Sequence, residues 1–396
     1  MPIIGDVPRT AAAVRPRIAS IDLVRGAVMV IMAIDHVRVY SGLAAGGPTA
    51  GIFFTRWVTH VCAPAFVFLA GTSAFLYART HDNLPRHLLI RGAWLVLLEL
   101  TLLRVAWTFN LDFMQYELAG VIWMIGWCLI LLAGVVRLPR GAIAIIGLVI
   151  VAGHNLLDPY LGQLIAAMGT SSLAGLWKIL YVGFFAGPIR VTAAGPTLIV
   201  LYSIVPWIGV MMLGYAFGQV LMRPPAGARK TTLAIGVAAT ASFIVLRGLN
   251  LYGDPNPWMP PSLFSLLNTN KYPASLAFLL MTLGPTLVAM SLLDRARGRV
   301  AEWLTVFGRV PFFYYVLHIP LIHALAVIVS LIRSGSVSPW LFANHPMGNP
   351  PPPPGYAWSL GLLYLVWAIA IVLLYAACRW FAGVKARRTD WWLGYL

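Results

Sequence analysis

The sequence predicts an all-α polytopic membrane protein of about ten transmembrane helices, with its N- and C-termini cytoplasmic. Three observations carry this. Of the 396 residues, 60% are hydrophobic and only 10% are charged, and the mean hydropathy is +0.82; soluble domains keep a far more polar balance. Apolar segments of spanning length recur near 20–40, 52–78, 88–108, 118–137, 141–160, 196–221, 231–250, 272–293, 302–332 and 357–382. With the N-terminus inside, the inner loops and tails hold 18 Lys and Arg residues and the outer loops five, the asymmetry of a positive-inside topology. The net charge of +16 is therefore a topology signal, and no nucleic-acid partner is expected.

In chain order, residues 1–17 read as a disordered cytoplasmic tail, 18–384 as a single transmembrane domain and 385–396 as a second cytoplasmic tail. The first apolar segment is longer than a signal-peptide core and holds Asp22, Arg25, Asp35 and His36, so it reads as a retained helix. A Gly-rich turn over 42–51 leads into the second helix. The segment 302–332 is over-long and contains Pro311 and Pro320, which predicts a kink or break. Three outer connections are more than turns. Residues 161–195 are mixed apolar and Gly-rich, a re-entrant or interfacial pattern; 251–271 is rich in Pro and Asn; and 334–356 carries His345 and the stiff run Pro350–Pro354. Cys62, Cys128 and Cys378 stand in apolar segments without CxxC spacing, so they read as buried hydrophobes and no metal site is expected. No internal repeat is evident, which weighs against transporters built from inverted repeats.

The first helix carries Asp22, Arg25, Asp35 and His36. Each ionisable group at the centre of a membrane helix costs about 2.5–3.5 kcal/mol, so such groups mark a protein interior or a wet cavity. At 100° per residue Arg25 and His36 lie about 20° apart in projection and roughly 16.5 Å apart along the axis, with Asp22 about 40° from His36. His36 is thus the first candidate for a general base, with Asp35 or Asp22 setting its tautomer, because neutral imidazole accepts a proton near pH 7. His60, which shares a helix face with Arg56 on the second helix, is the second candidate. Arg25, with its planar fork, suits a phosphate. In the ninth helix Tyr314 and His318 share a face, with His323 beyond. Plainer readings stand beside these: Asp35 and Arg38 as a surface ion pair, His60, His318 and His323 as packing residues, Asp22 as support for Arg25, His81 and His87 as solvated loop residues.

Arg17-x-x-Ser20-x-Asp22-x-x-Arg25-Gly26 resembles the opening of the heparan-α-glucosaminide N-acetyltransferase-like membrane proteins. Arg25, ten residues and His36 resemble the Arg-x10-His motif of bacterial transmembrane acyltransferases acting on surface polysaccharides. The blocks starting at His60, Pro206, Asn268 (Asn-Thr-Asn-Lys271-Tyr-Pro) and Gly308 (Gly-Arg309-Val-Pro-Phe-Phe-Tyr314-Tyr-Val-Leu-His318) are similar to blocks in the bacterial branch of this group. The resemblance implies acyl transfer within a bacterial cytoplasmic membrane, from acetyl-CoA or another acyl-CoA to an amine or hydroxyl of a sugar or envelope glycan at the outer side. Arg25, Asp22 and Arg309 are then expected at the donor, and Arg56, Asn268, Lys271, Tyr314 and His318 at the acceptor. The lysosomal enzyme places its catalytic histidine in the first outer loop. Residues 46–55 here contain none, so the role falls to His36 or His60. Expected partners are acyl-CoA, the glycan and membrane lipids; the oligomeric state is open, a dimer included. The rival readings are a proton-coupled transporter or flippase of an anionic or lipid-linked substrate, and a non-enzymatic partner in envelope synthesis.

Overall fold

The computed structural model describes residues 18–47, 49–169, 173–190, 192, 194–346, 350–388, 390 and 393. The tail expected over 1–17, and half of the one over 385–396, lie outside the described residues. Helix α1 (Ala19–Ser41) is enclosed by the others, with buried side chains from Ser20 to Ser41, and closes on Gly42 at a left-handed φ of 71°. Helix α2 spans Ala50–Ala78 and is capped by the Thr49 hydroxyl, which accepts from the Ile52 amide. Helix α3 runs through Leu84–Leu98, a π-helical turn over Glu99–Leu103, and Arg104–Thr108. There follow α4 (Val121–Val135), α5 (Arg140–Met168), α6 (Val205–Met222), α7 (Pro225–Gly248), α8 (Leu276–Arg295), α9 (Arg299–Arg309), α10 (Pro311–Ser334) and α11 (Leu360–Arg387). The last helix thus takes in Lys385, expected in the tail.

Among the described residues, seven helices are long and apolar enough to cross a membrane: α2, α5, α6, α7, α8, α10 and α11. The other three expected spans fall outside that group for physical reasons. α1 carries Asp22, Arg25, Asp35 and Arg38, α3 carries Arg86, Arg91, Glu99 and Arg104, and α4 has only 15 residues. The long segment 302–332 is two helices, broken at Val310, where φ is −131° and ψ 50°. Pro311 starts α10, where its missing N–H costs nothing, while Pro320 sits inside it without ending it.

The all-α expectation needs one amendment. Strands β1 (Glu117–Ala119), β2 (Ile189–Arg190) and β3 (Thr197–Val200) form a small sheet in the order β1-β3-β2, β1 parallel and β2 antiparallel to β3. Residues 118–120 and 197–204 were therefore misjudged as helical. Thr197-Leu-Ile-Val is a β-prone run, and an apolar stretch of that length does not reveal its period.

Close backbone contacts set the position of α1 and α2. A Cβ on Gly26 would lie 1.8 Å from the Leu304 carbonyl oxygen, and one on Gly308 1.7 Å from that of Asp22, so α1 and α9 touch backbone to backbone. Gly71 of α2 and Gly214 of α6 make an equivalent crossing. Two side chains fix α1 at mid-height: the Tyr314 hydroxyl donates to the Met29 carbonyl at 2.9 Å, and the Trp367 indole donates to that of Val30 at 2.9 Å.

Candidate active site

α1 connects two cavities. The cavity at its Ser41 end has a volume of about 600 Å³ and is lined by Asp35, His36 and Arg38 together with Arg56, Lys271 and Tyr272. The cavity at its Ala19 end has about 830 Å³ and is lined by Arg25, Ser73, Tyr77, His81, His87 and Arg91 over an otherwise apolar interior. Phe66, Val121 and Tyr315 line both. The polar stripe expected along α1 is therefore divided: Arg25 belongs to one compartment and His36 to the other.

His36 Nδ1 lies 2.6 Å from His318 Nε2. His318 is fully buried, and its Nδ1 donates to the carbonyl of Tyr315 at 2.6 Å. A carbonyl only accepts, so that Nδ1 carries the hydrogen and His318 Nε2 offers a lone pair. The short contact then requires His36 Nδ1 to donate, which leaves His36 Nε2 as the unprotonated nitrogen. The tautomer of His36 is thus set by His318 and not by Asp35 or Asp22. Trp107 holds the opposite side of the ring, edge-on at 4.9 Å, and the Tyr314 ring stacks on His318 at 5.2 Å.

Asp35 is occupied elsewhere. It accepts from Arg38 Nε at 2.7 Å and forms a close ion pair with Arg56. Arg56 reaches on to the Tyr272 hydroxyl at 3.4 Å. Lys271 stands over the Tyr272 ring, 5.3 Å from its centroid. Burial and then the Arg56 charge push the Lys271 ammonium below its ordinary pKa. Burial alone would raise the Tyr272 phenol, but Lys271 and Arg56 outweigh it and bring the group to about 8. His345 stacks on Trp340 at 3.8 Å, and both its ring nitrogens lack a partner among the described residues. Burial, reinforced by His323, brings its pKa down to about 4, so it is a neutral imidazole at pH 7.

Glu99 also lines this cavity and was missed from sequence. It sits in the π-helical turn of α3, accepts from the backbone amides of Ile122 and Trp123, and its Oε2 has no partner among the described residues. Gly120 leaves it room, since a Cβ there would meet Oε1 at 2.3 Å. A lone Glu in an apolar run was the available signal.

Other candidates are not brought to either cavity. His60 is buried against Phe278, ring centroids 5.4 Å apart, and lines neither cavity. Asp22 is buried where α1 meets α9. Arg309 is exposed at the end of α9, and Asn268 is exposed with its carbonyl accepting from Arg247. Tyr314 is a support behind His318. His81, exposed as expected, and the half-buried His87 stack at 4.0 Å on Tyr77 at the edge of the Ala19-end cavity. Arg25 donates to the Leu69 carbonyl at 3.1 Å and contacts Ser73 closely. Among the described residues no three His, Cys, Asp or Glu side chains converge on a metal-sized site. All three cysteines are free and buried.

A bundle of membrane-length helices around a buried imidazole pair defines a multi-pass membrane protein. Residues 17–252 match the family model described as heparan-alpha-glucosaminide N-acetyltransferase, catalytic. That is more than half of the chain, and the chain belongs to this family, which supports a membrane acetyltransferase activity. The match includes Arg25, Asp35, His36, Arg56 and Glu99 but ends before Lys271, His318 and His345. No curated protein matches the chain.

Proposed function

We propose that the protein transfers an acetyl group from acyl-CoA, held in the Ala19-end cavity, to an amine or hydroxyl of a sugar in the Ser41-end cavity. The observation that carries this is the His36–His318 pair, which leaves His36 Nε2 as a proton acceptor in a cavity that abuts a second, basic-rimmed one. The acceptor nitrogen or oxygen attacks the thioester carbonyl and gives its proton to His36 Nε2. The tetrahedral adduct collapses, the C–S bond breaks, and the CoA thiolate leaves with the proton returned by His36. His318 accepts from the imidazolium throughout and stabilises it. Arg25 and Arg91 supply charge-assisted donors for the CoA phosphates, with the His81 and His87 rings beside them. Lys271 and Arg56 supply positive charge at the developing oxyanion.

In this reading ten helices cross the membrane with both termini cytoplasmic, so that donor and acceptor approach from opposite sides. The test is turnover of acetyl-CoA with glucosamine by pure protein. Wild-type turnover lost on His36→Ala supports the reading, and turnover unaffected by that change removes it. The two back-to-back cavities also fit a transporter; proton-coupled uptake in vesicles without acyl transfer would favour that instead.

A further inference from the structure

A third compartment adjoins the catalytic cavity. It is a cleft of about 730 Å³ bounded by the loop 110–116, strand β3, residues 342–344 and Pro350. Phe184 lines both it and the catalytic cavity, and the segment 342–346 serves both, with Phe342 and Asn344 facing the cleft and His345 the cavity. The cleft wall is rigid because Arg104, only 1% exposed, gathers it: Arg104 donates to the Tyr116 carbonyl at 3.0 Å, to Asn110 Oδ1 at 2.6 Å and to the Asp112 carbonyl, and reaches Asn344 Oδ1 at 3.4 Å. That network uses backbone carbonyls and amide oxygens. It leaves the Asp112 carboxylate, the Gln115 amide and the Thr197 hydroxyl without protein hydrogen bonds among the described residues.

Resting on the proposed acyl transfer, we infer that this cleft binds the sugar units next to the reacting one, and that the acceptor is a neutral or amino-sugar oligosaccharide rather than a polyanionic one. Sugar rings present apolar C–H faces to aromatic rings and a rim of hydroxyls to amides and carboxylates. Phe184 and Phe342 offer the first kind of surface, and Asp112, Gln115 and Thr197 the second. Among the described residues the lining contains one carboxylate and no Lys or Arg. A sulfated or uronate chain brings several negative charges and would face Asp112, while the nearest cations are spent on the protein, Arg104 on the wall's carbonyls and amides and Lys178 at the rim on the Pro188 carbonyl. The family description names heparan, but this cleft has the opposite charge preference.

The experiment compares acceptors with the full-length protein in nanodiscs and acetyl-CoA: glucosamine, its β-1,4-linked tetramer, and a sulfated, uronate-containing tetrasaccharide with a free amine. The tetramer should show a kcat/KM about tenfold or more above glucosamine, carried by KM, and the sulfated tetrasaccharide should show no such gain. Phe342→Leu and Gln115→Ala should bring the tetramer-to-monomer ratio towards one. Asp112→Lys should shift preference towards the sulfated chain; the loop survives this change because Arg104 and Asn110 hold Asp112 by its backbone. Equal kcat/KM for monomer and tetramer, or a preference of the wild type for the sulfated chain, overturns the inference alone. Failure to acetylate any of the sugars overturns the acceptor reading and the inference with it.

Discussion

At the scale of single residues, the proposed chemistry depends on which nitrogen of His36 is free. His36→Ala should lower turnover by about 10²–10⁴-fold, the contribution of a positioned base, while acyl-CoA binding survives. His318→Ala should also lower kcat with little change in the donor KM, because the ring loses its acceptor and both tautomers become available. His60→Ala should cost far less, and the three folded variants assayed in one detergent make the comparison. If His60→Ala is the inactive one, the base belongs to α2. Tyr272 gives a pH signature. Its folded value of about 8 lies below its ordinary 10, so it favours folding most above pH 10 and loses that contribution as the pH falls through 8. Relative to Tyr272→Phe, wild-type stability should therefore rise between pH 8 and 10, by on the order of 1–3 kcal/mol; parallel curves for the two proteins would refute it. His36, Asp35, Arg56 and His318 were all legible in the sequence as ionisable groups in apolar helices. Their pairing was not. Helical angle aligned Arg25 with His36, yet the packed side chains of Phe66, Val121 and Tyr315 divide that face. Glu99 finds its partners in amides some twenty residues on, which only the fold brings near.

Elements were easiest to read where hydropathy runs long and hardest where it stops. The helices α2, α7 and α11 follow from composition and length alone. The break at Val310 and the strands β1 and β3 depend on tertiary contacts that a one-dimensional apolar pattern does not encode. The α1–α9 crossing is equally silent, since Gly26 and Gly308 carry no marker of which glycine each backbone will meet. Gly308→Val should separate the two helices and lower the melting point in detergent, with an overpacking cost of roughly 1–3 kcal/mol or more. Gly134→Ala in α4, where no atom lies within 4 Å of the added carbon and the backbone is helical, is the control. Equal melting points would show that α9 is not held against α1 in this way.

For the whole molecule, topology and donor site are linked. If both termini are cytoplasmic, single cysteines placed in 79–87, 137–140, 223–230 and 294–300 should resist an impermeant reagent in intact cells, whereas 254–258 should react; strong external labelling of 294–300 would reverse the bundle. The donor then enters at Arg25. Arg25→Ala should raise the acyl-CoA KM more than it lowers kcat, since a phosphate contact is equal in ground and transition state, and Arg25→Lys should rescue only part of it. Because Arg25 also tethers Leu69 and Ser73 of α2, a melting curve must accompany the kinetics.

The three side chains common to both cavities have a further consequence. Phe66, Val121 and Tyr315 line both the Ser41-end and the Ala19-end compartments and so form the partition between them. A two-carbon unit can be handed across such a wall while the bulky nucleotide stays on its own side, and the membrane keeps its seal against ions. Thinning the wall should uncouple the two functions. In Phe66→Gly, water reaching the thioester would hydrolyse it, so CoA release should continue without acceptor and proteoliposomes should lose a proton gradient faster than those holding the native protein.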